Sequence, residues 1–130
     1  MKQKELLSLE VGASPDKAEI ATANLLVVTF GEPIKFLKEA NIQGQRTPDI
    51  FWRERNWEIK NPVENGKRTI ENAIQHASKQ SSNIIIDLRQ CKMQEQKAIS
   101  KCEREFSYRT SIKRLLLIKK SQETFELSRK

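Results

Sequence analysis

Residues 47–60, TPDIFWRERNWEIK, decide the fold. A Pro48-Asp49 pair opens the stretch, and eight residues separate it from Glu58-Ile59-Lys60. The spacing predicts two adjacent β-strands joined by a tight turn at Arg53–Asn56. Pro48 opens the first strand, where a strand proline is tolerated, and Pro62 ends the second. Side chains alternate across a strand, so Glu58 and Lys60 share one face while Trp57 and Ile59 take the other. Asp49 on the neighbouring strand meets Glu58 across the hairpin. Two carboxylates and an ammonium then converge at the end of a small sheet. Carboxylate oxygens suit a hard divalent cation, and a lysine beside them can position a water.

The flanks extend the pattern. Ser14-Pro15-Asp16 reads as a helix start, with Ser14 as N-cap and Pro15 at the first helical position, and Gly31 reads as the stop. Within that helix Ala18, Ala21, Leu25 and Val28 form one apolar stripe. Ala23, Leu26 and Phe30 form a second, and Glu19 continues it towards the N-terminus. A carboxylate on a buried face needs a partner: a cation, a water or Lys60. Residues 34–40 predict the first strand, and 41–47 a turn around Gly44. Beyond the hairpin, Asn65-Gly66 turns into a helix reaching about Ser81, with Ile70, Ala73, Ile74 and Ala77 as its apolar side. The runs 83–88 and 115–118 are continuous and apolar, as strands covered on both faces are. A charged helix over 94–108 connects them, and 124–128 adds an edge strand. The fold class is α/β, a central mixed β-sheet flanked by helices.

The motif resembles the PD-(D/E)xK nuclease superfamily, written here as Pro48-Asp49 and Glu58-Ile59-Lys60, and the order helix, strand, hairpin, helix, strand is that superfamily's core. More closely, the run from Glu19 through TPDIFW, WEIKNP and NGKRTIENAIQHASKQSSNIIIDL is similar to the C-terminal toxin domains of contact-dependent growth inhibition proteins, of the tRNA nuclease type. The resemblance implies a site of Glu19, Asp49, Glu58 and Lys60, with Asp49, Glu58 and Glu19 holding a divalent cation. Mg²⁺ is the first choice, Mn²⁺ or Zn²⁺ the alternatives, with the Ile59 carbonyl and waters completing the shell. It further implies a helix packed beside the site, from which Arg68, Thr69, Lys79 and Gln80 contact substrate. A tRNA substrate, a cognate immunity protein, and action in the cytoplasm of a target cell after delivery on a secreted or cell-surface protein are implied in the same way. A DNA endonuclease with the same site and a non-catalytic nucleic-acid-binding module stay open.

Composition bounds these readings. The 130 residues suffice for one core, read as a domain over 15–130 behind an extension at 1–14 that frays. No apolar run is long enough to span a bilayer, and the first residues lack the apolar stretch of a signal peptide, so export is expected to rest on a preceding portion of a longer chain. His76 is the only histidine, which excludes a two-histidine mechanism; it reads as solvated. Cys91 and Cys102, eleven apart, leave a disulfide open and read first as two free thiols. Net charge is +7, unevenly spread: residues 1–65 carry nine Lys/Arg against ten Asp/Glu, and 66–130 carry fifteen against seven. A basic platform beside a near-neutral half suits a polyanion, and an inhibitor of that platform is expected to be acidic.

Overall fold

The computed structural model describes residues 6–39 and 47–129. Its strands are β1 (Leu7–Leu9), β2 (Ile34–Phe36), β3 (Ile50–Trp52), β4 (Arg55–Lys60), β5 (Asn83–Asp87), β6 (Arg114–Ile118) and β7 (Thr124–Ser128). Its helices are α1 (Lys17–Phe30), α2 (Thr69–Ser78) and α3 (Glu95–Tyr108). All seven strands form one sheet in the order β1-β2-β3-β4-β5-β6-β7. The pairs β1–β2, β4–β5 and β5–β6 are parallel, and β2–β3, β3–β4 and β6–β7 antiparallel. This is the mixed α/β architecture that the alternation of patterns predicts.

Two apolar cores lie on opposite faces of the sheet, as strand alternation requires. Ile84, Ile86, Leu115 and Leu117 pack with Ile70, Ile74 and Ala77 of α2 and Ala98, Ile99 and Cys102 of α3. On the other face Trp57, Ile59, Ile85, Leu116 and Ile118 pack with Ala23, Leu26 and Val27 of α1. Trp57 and Ile59 thus point towards α1, and Glu58 and Lys60 towards the α2 face.

Several boundaries differ from expectation. Leu7–Leu9, expected within an N-terminal extension, pair in parallel with Ile34–Phe36. The helix cap is Asp16 rather than Ser14: its side chain accepts from the Glu19 amide at 2.8 Å while the Asp16 amide donates to Glu19 Oε1 at 3.0 Å, a complete capping box. Gly31 closes the helix with φ of 67°. Of the two apolar stripes, the one continuing from Glu19 carries most of the burial; in the other Leu25 is half-buried, Ala18 and Ala21 face solvent and Val28 is 58% exposed. The first central strand ends at Phe36, and the turn expected around Gly44 lies outside the described residues.

The hairpin turn is tighter than its sequence suggests. Arg53 and Glu54 alone form it, at φ 55° and 62°, so β4 begins at Arg55. Left-handed backbone at two non-glycine residues costs about 1–2 kcal/mol each. Interactions of Arg53 offset this. Its guanidinium pairs with Glu32 at 2.7 Å and lies 4.4 Å and 4.5 Å from the centroids of Phe30 and Trp52. The hairpin is thereby clamped to the end of α1, which also carries Glu19. Cys91 and Cys102 are free and buried, as expected. Among the described residues no helix is long and apolar enough to cross a membrane.

Candidate functional site

Asp49 stands where the main chain of β3 parts from β4. Its amide still donates to the Trp57 carbonyl at 2.9 Å, and the Asp49 carbonyl accepts from the Leu37 amide at 2.9 Å. One step further along, the Ile59 amide donates to Asp49 Oδ2 at 2.8 Å. The aspartate side chain has taken the ladder position that the β3 backbone leaves. It therefore lies close to the plane of the sheet, reachable from both faces. Glu58 approaches it from the α2 face and Glu19 from the α1 face, and both interact with it through their carboxyls. Lys60 Nζ lies 3.6 Å from Glu58 Oε2.

Three carboxyls in one desolvated place cannot all ionise freely. Burial, reinforced by the charge of Asp49, pushes Glu58 up to about 8, against the pull of Lys60. Burial also pushes Glu19 up to about 7, opposed by the Asp16 amide and aided by Asp49. Asp49 is raised by burial, but the Ile59 amide, the two glutamates and Lys60 all act to lower it. The protons consequently reside on the glutamates, which donate to an ionised Asp49. Glu58 Oε1 is buried and has no hydrogen-bond partner among the described residues. Glu58 itself is only 5% exposed.

An orphaned carboxylate oxygen beside two further carboxyls is the chemistry that a hard divalent cation satisfies. The donor set of Asp49, Glu58 and Glu19 fits such an ion by type and charge. It is not a preformed cage: among the described residues no group of three His, Cys, Asp or Glu side chains is already placed to hold a metal ion. A cation held here would require the glutamates to release the protons they share with Asp49, which would couple its binding to pH.

The helix residues fall differently. Arg68 caps α2 and Thr69 begins it, at the end of the sheet where Lys60 lies. Thr69 Oγ1 accepts from the Gly66 amide at 3.0 Å and so fixes the turn. Lys79 and Gln80 lie at the far end of α2, where Ser81 Oγ donates to the Asn56 carbonyl at 2.8 Å. Among the described residues, no hydrogen bond or ion pair joins Arg68, Thr69, Lys79 or Gln80 to the acidic cluster. His76 is exposed, as its solvated reading requires.

Sequence reasoning missed a second polar cluster next to the first. Asp87, 3% exposed at the end of β5, accepts from Thr22 Oγ1 at 2.6 Å and from Arg89 Nη2 at 2.8 Å and Nε at 3.0 Å. Asn61 Nδ2 donates to Thr22 Oγ1 at 2.8 Å, and Arg89 reaches the Ala21 carbonyl at 3.2 Å. Thr22 is one turn beyond Glu19, so this cluster ties the Glu19 end of α1 to the ends of β4 and β5. Burial raises the Asp87 carboxyl, but the bonds from Arg89 and Thr22 outweigh it and hold the group below the usual range. The available signal was a carboxylate closing an apolar strand, since the carboxyl ends of parallel strands are where α/β sheets place sites.

A search of curated proteins gives no match. Among solved structures, a CdiA-CT/CdiI toxin and immunity complex from Burkholderia pseudomallei superposes with a TM-score of 0.58, over 94% of this chain and 99% of that one, at 17% identity. The likeness is one of fold. Residues 46–124 match the family profile described as the contact-dependent growth inhibition CdiA C-terminal domain. That span holds the hairpin, α2, β5, α3 and β6, and the protein belongs to the family of contact-dependent growth inhibition CdiA C-terminal domains.

Proposed function

We propose that this domain is a metal-dependent nuclease of PD-(D/E)xK type, which hydrolyses phosphodiester bonds of tRNA in the cytoplasm of a target cell and is neutralised by a cognate immunity protein. The observation that carries the reading is Glu58 Oε1, buried without a donor between Asp49 and Lys60. A bound Mg²⁺, or Mn²⁺ or Zn²⁺ in its place, would supply Lewis acidity to a water and to the phosphate. Asp49, Glu58 and Glu19 would hold it.

The remaining roles belong to the chain itself. Asp49 is fixed by the Ile59 amide, so its free oxygen has one direction to offer. Glu19 is fixed by its capping box through Oε1, leaving Oε2 for the site. The Lys60 side chain is 30% exposed beside a buried acid, so its ammonium can meet a phosphate arriving from solvent and offset charge that builds there. The basic half of the chain supports a polyanionic substrate.

End-mapping of total RNA treated with the purified domain tests the reading, with plasmid DNA in parallel. Defined tRNA fragments in Mg²⁺ and none in EDTA are expected. Undiminished cleavage in chelator, or ends bearing 2′,3′-cyclic phosphate, would replace the cation by a 2′-hydroxyl route. Nicked plasmid beside intact tRNA would change the substrate. The partner is expected to be acidic, associating with an on-rate that falls as salt rises. A neutral or basic inhibitor would remove the electrostatic account.

A further inference from the structure

The first half of α3 and the first turn of α2 meet in a seam that none of the preceding roles uses. Glu71 on α2 is 8% exposed, and its Oε2 takes Lys101 Nζ at 2.9 Å and Arg104 Nη2 at 3.6 Å. Lys101 Nζ also donates to the Lys67 carbonyl at 3.2 Å, which stitches α3 to the turn before α2. The charge of Arg68 acts on the same carboxylate. Lys97, Lys101 and Arg104 fall at i, i+4 and i+7, one flank of the helix. With Ser100 they line a shallow cleft of about 420 Å³. Among the described residues the Lys97 ammonium has no ion-pair partner.

One acid among Arg68, Lys97, Lys101 and Arg104 does not neutralise them. Its effect is positional. A surface lysine ordinarily samples many rotamers; Glu71 holds Lys101 and Arg104 at the seam and leaves the cluster strongly positive. Topology sets where the cluster lies. The strands β4, β5 and β6 are parallel, and α2 and α3 both start from their carboxyl ends, with the Lys120 amide bonded to Glu95 at the start of α3. Lys60 and Asp87 are at that same end. The seam is therefore about one helix width, ~10 Å, from the acidic site, on the far flank of α2.

We propose that the α2–α3 seam is a second anion site, in which Lys97, Lys101 and Arg104 hold the phosphodiester backbone of a nucleic acid a few nucleotides away from the bond at the acidic site. The proposal rests on the nuclease reading, and the test separates the two. In a non-cleaving Asp49→Asn background, binding of fluorescein-labelled mixed tRNA is measured by anisotropy from low to high KCl. The variants are Lys97→Ala, Arg104→Ala and the pair. Both side chains are exposed, and Lys101 is kept because its loss would strand Glu71. Lys113→Ala, exposed at the opposite end of the sheet, is the control for lost charge alone.

Each seam cation removed is expected to lower the slope of log K against log[salt] by about 1, and the pair to weaken binding at least fivefold, with the control close to the parent. In the cleaving chain the pair should raise KM and leave kcat in place. A pair whose slope and affinity match the control overturns the seam. So does a pair that keeps its RNA affinity while losing the immunity protein, which would assign the surface to that partner. A parent that binds neither tRNA nor duplex DNA overturns the nuclease reading itself, a result distinct from the other two.

Discussion

Replacing Glu58 by glutamine should stabilise the metal-free domain at pH 8 and do nothing at pH 4. The carboxyl titrates near its ordinary 4.5 in the unfolded chain and is pushed up to about 8 in the fold by burial and by Asp49. A group raised in this way contributes fully below its unfolded value, and the contribution disappears as pH rises through the folded one. Between pH values of about 5 and 8 the parent therefore loses up to ~1.4 kcal/mol per pH unit from this proton, or on the order of 3–5 kcal/mol in all. Glutamine cannot ionise, and its amide donates to Asp49 where the glutamic acid did. The assay is urea unfolding in EDTA at pH 5, 6.5 and 8. The parent midpoint should fall steeply while that of Glu58→Gln falls much less, Glu19, raised to about 7 in the parent, still titrating in both. Mg²⁺ at pH 8 should then raise the parent and leave the variant nearly unmoved. Parallel pH profiles for the two chains would refute the argument, because the three carboxyls would then not be sharing protons.

Asp49→Ala should abolish cleavage and cost only about 1 kcal/mol of stability, the worth of the bond from the Ile59 amide; a fully active variant in the RNA assay removes the assignment. Asp87→Ala should destabilise by about 3 kcal/mol in urea unfolding, the low end for a broken buried pair because the Arg89 side chain stays 21% exposed. Asp87 has the opposite sign to Glu58: its folded value is depressed, so its contribution is present above pH ~4 and lost below. Gly31→Ala should cost about 1 kcal/mol through backbone strain alone, since φ is 67° and, chain neighbours aside, no atom of the described residues lies within 4 Å of the added carbon. A loss above 2 kcal/mol in thermal unfolding would mean a packing role instead.

What could be read from the sequence was local. Strict alternation put Glu58 with Lys60 and opposed them to Trp57 and Ile59, and the eight-residue spacing put Asp49 beside Glu58. Glu19 was found because its helical stripe continues into Ala23 and Leu26. The companion stripe through Ala18 and Val28 failed because α1 is apolar around most of its circumference, and only contact with the sheet selects a face. The capping box was legible as Asp16 followed three residues later by Glu19, but Ser14-Pro15 offered an overlapping start. The Thr22–Asp87 bond joins residues 65 apart in sequence, and no periodicity reports such a pair. β1, three residues long, has too little pattern to read.

The strand order has a mechanical consequence. Every strand in the sheet lies next to its predecessor and successor along the chain, and no disulfide crosses between them. Tension on the C-terminal end would peel β7 from β6 one antiparallel bond at a time, then take β6 from β5 and β5 from β4. During reassembly no late strand has to be inserted between two that are already paired. A chain built this way can be drawn out to a thread from one end and wound back in the same order, with loop closures of only a few tens of residues at each step.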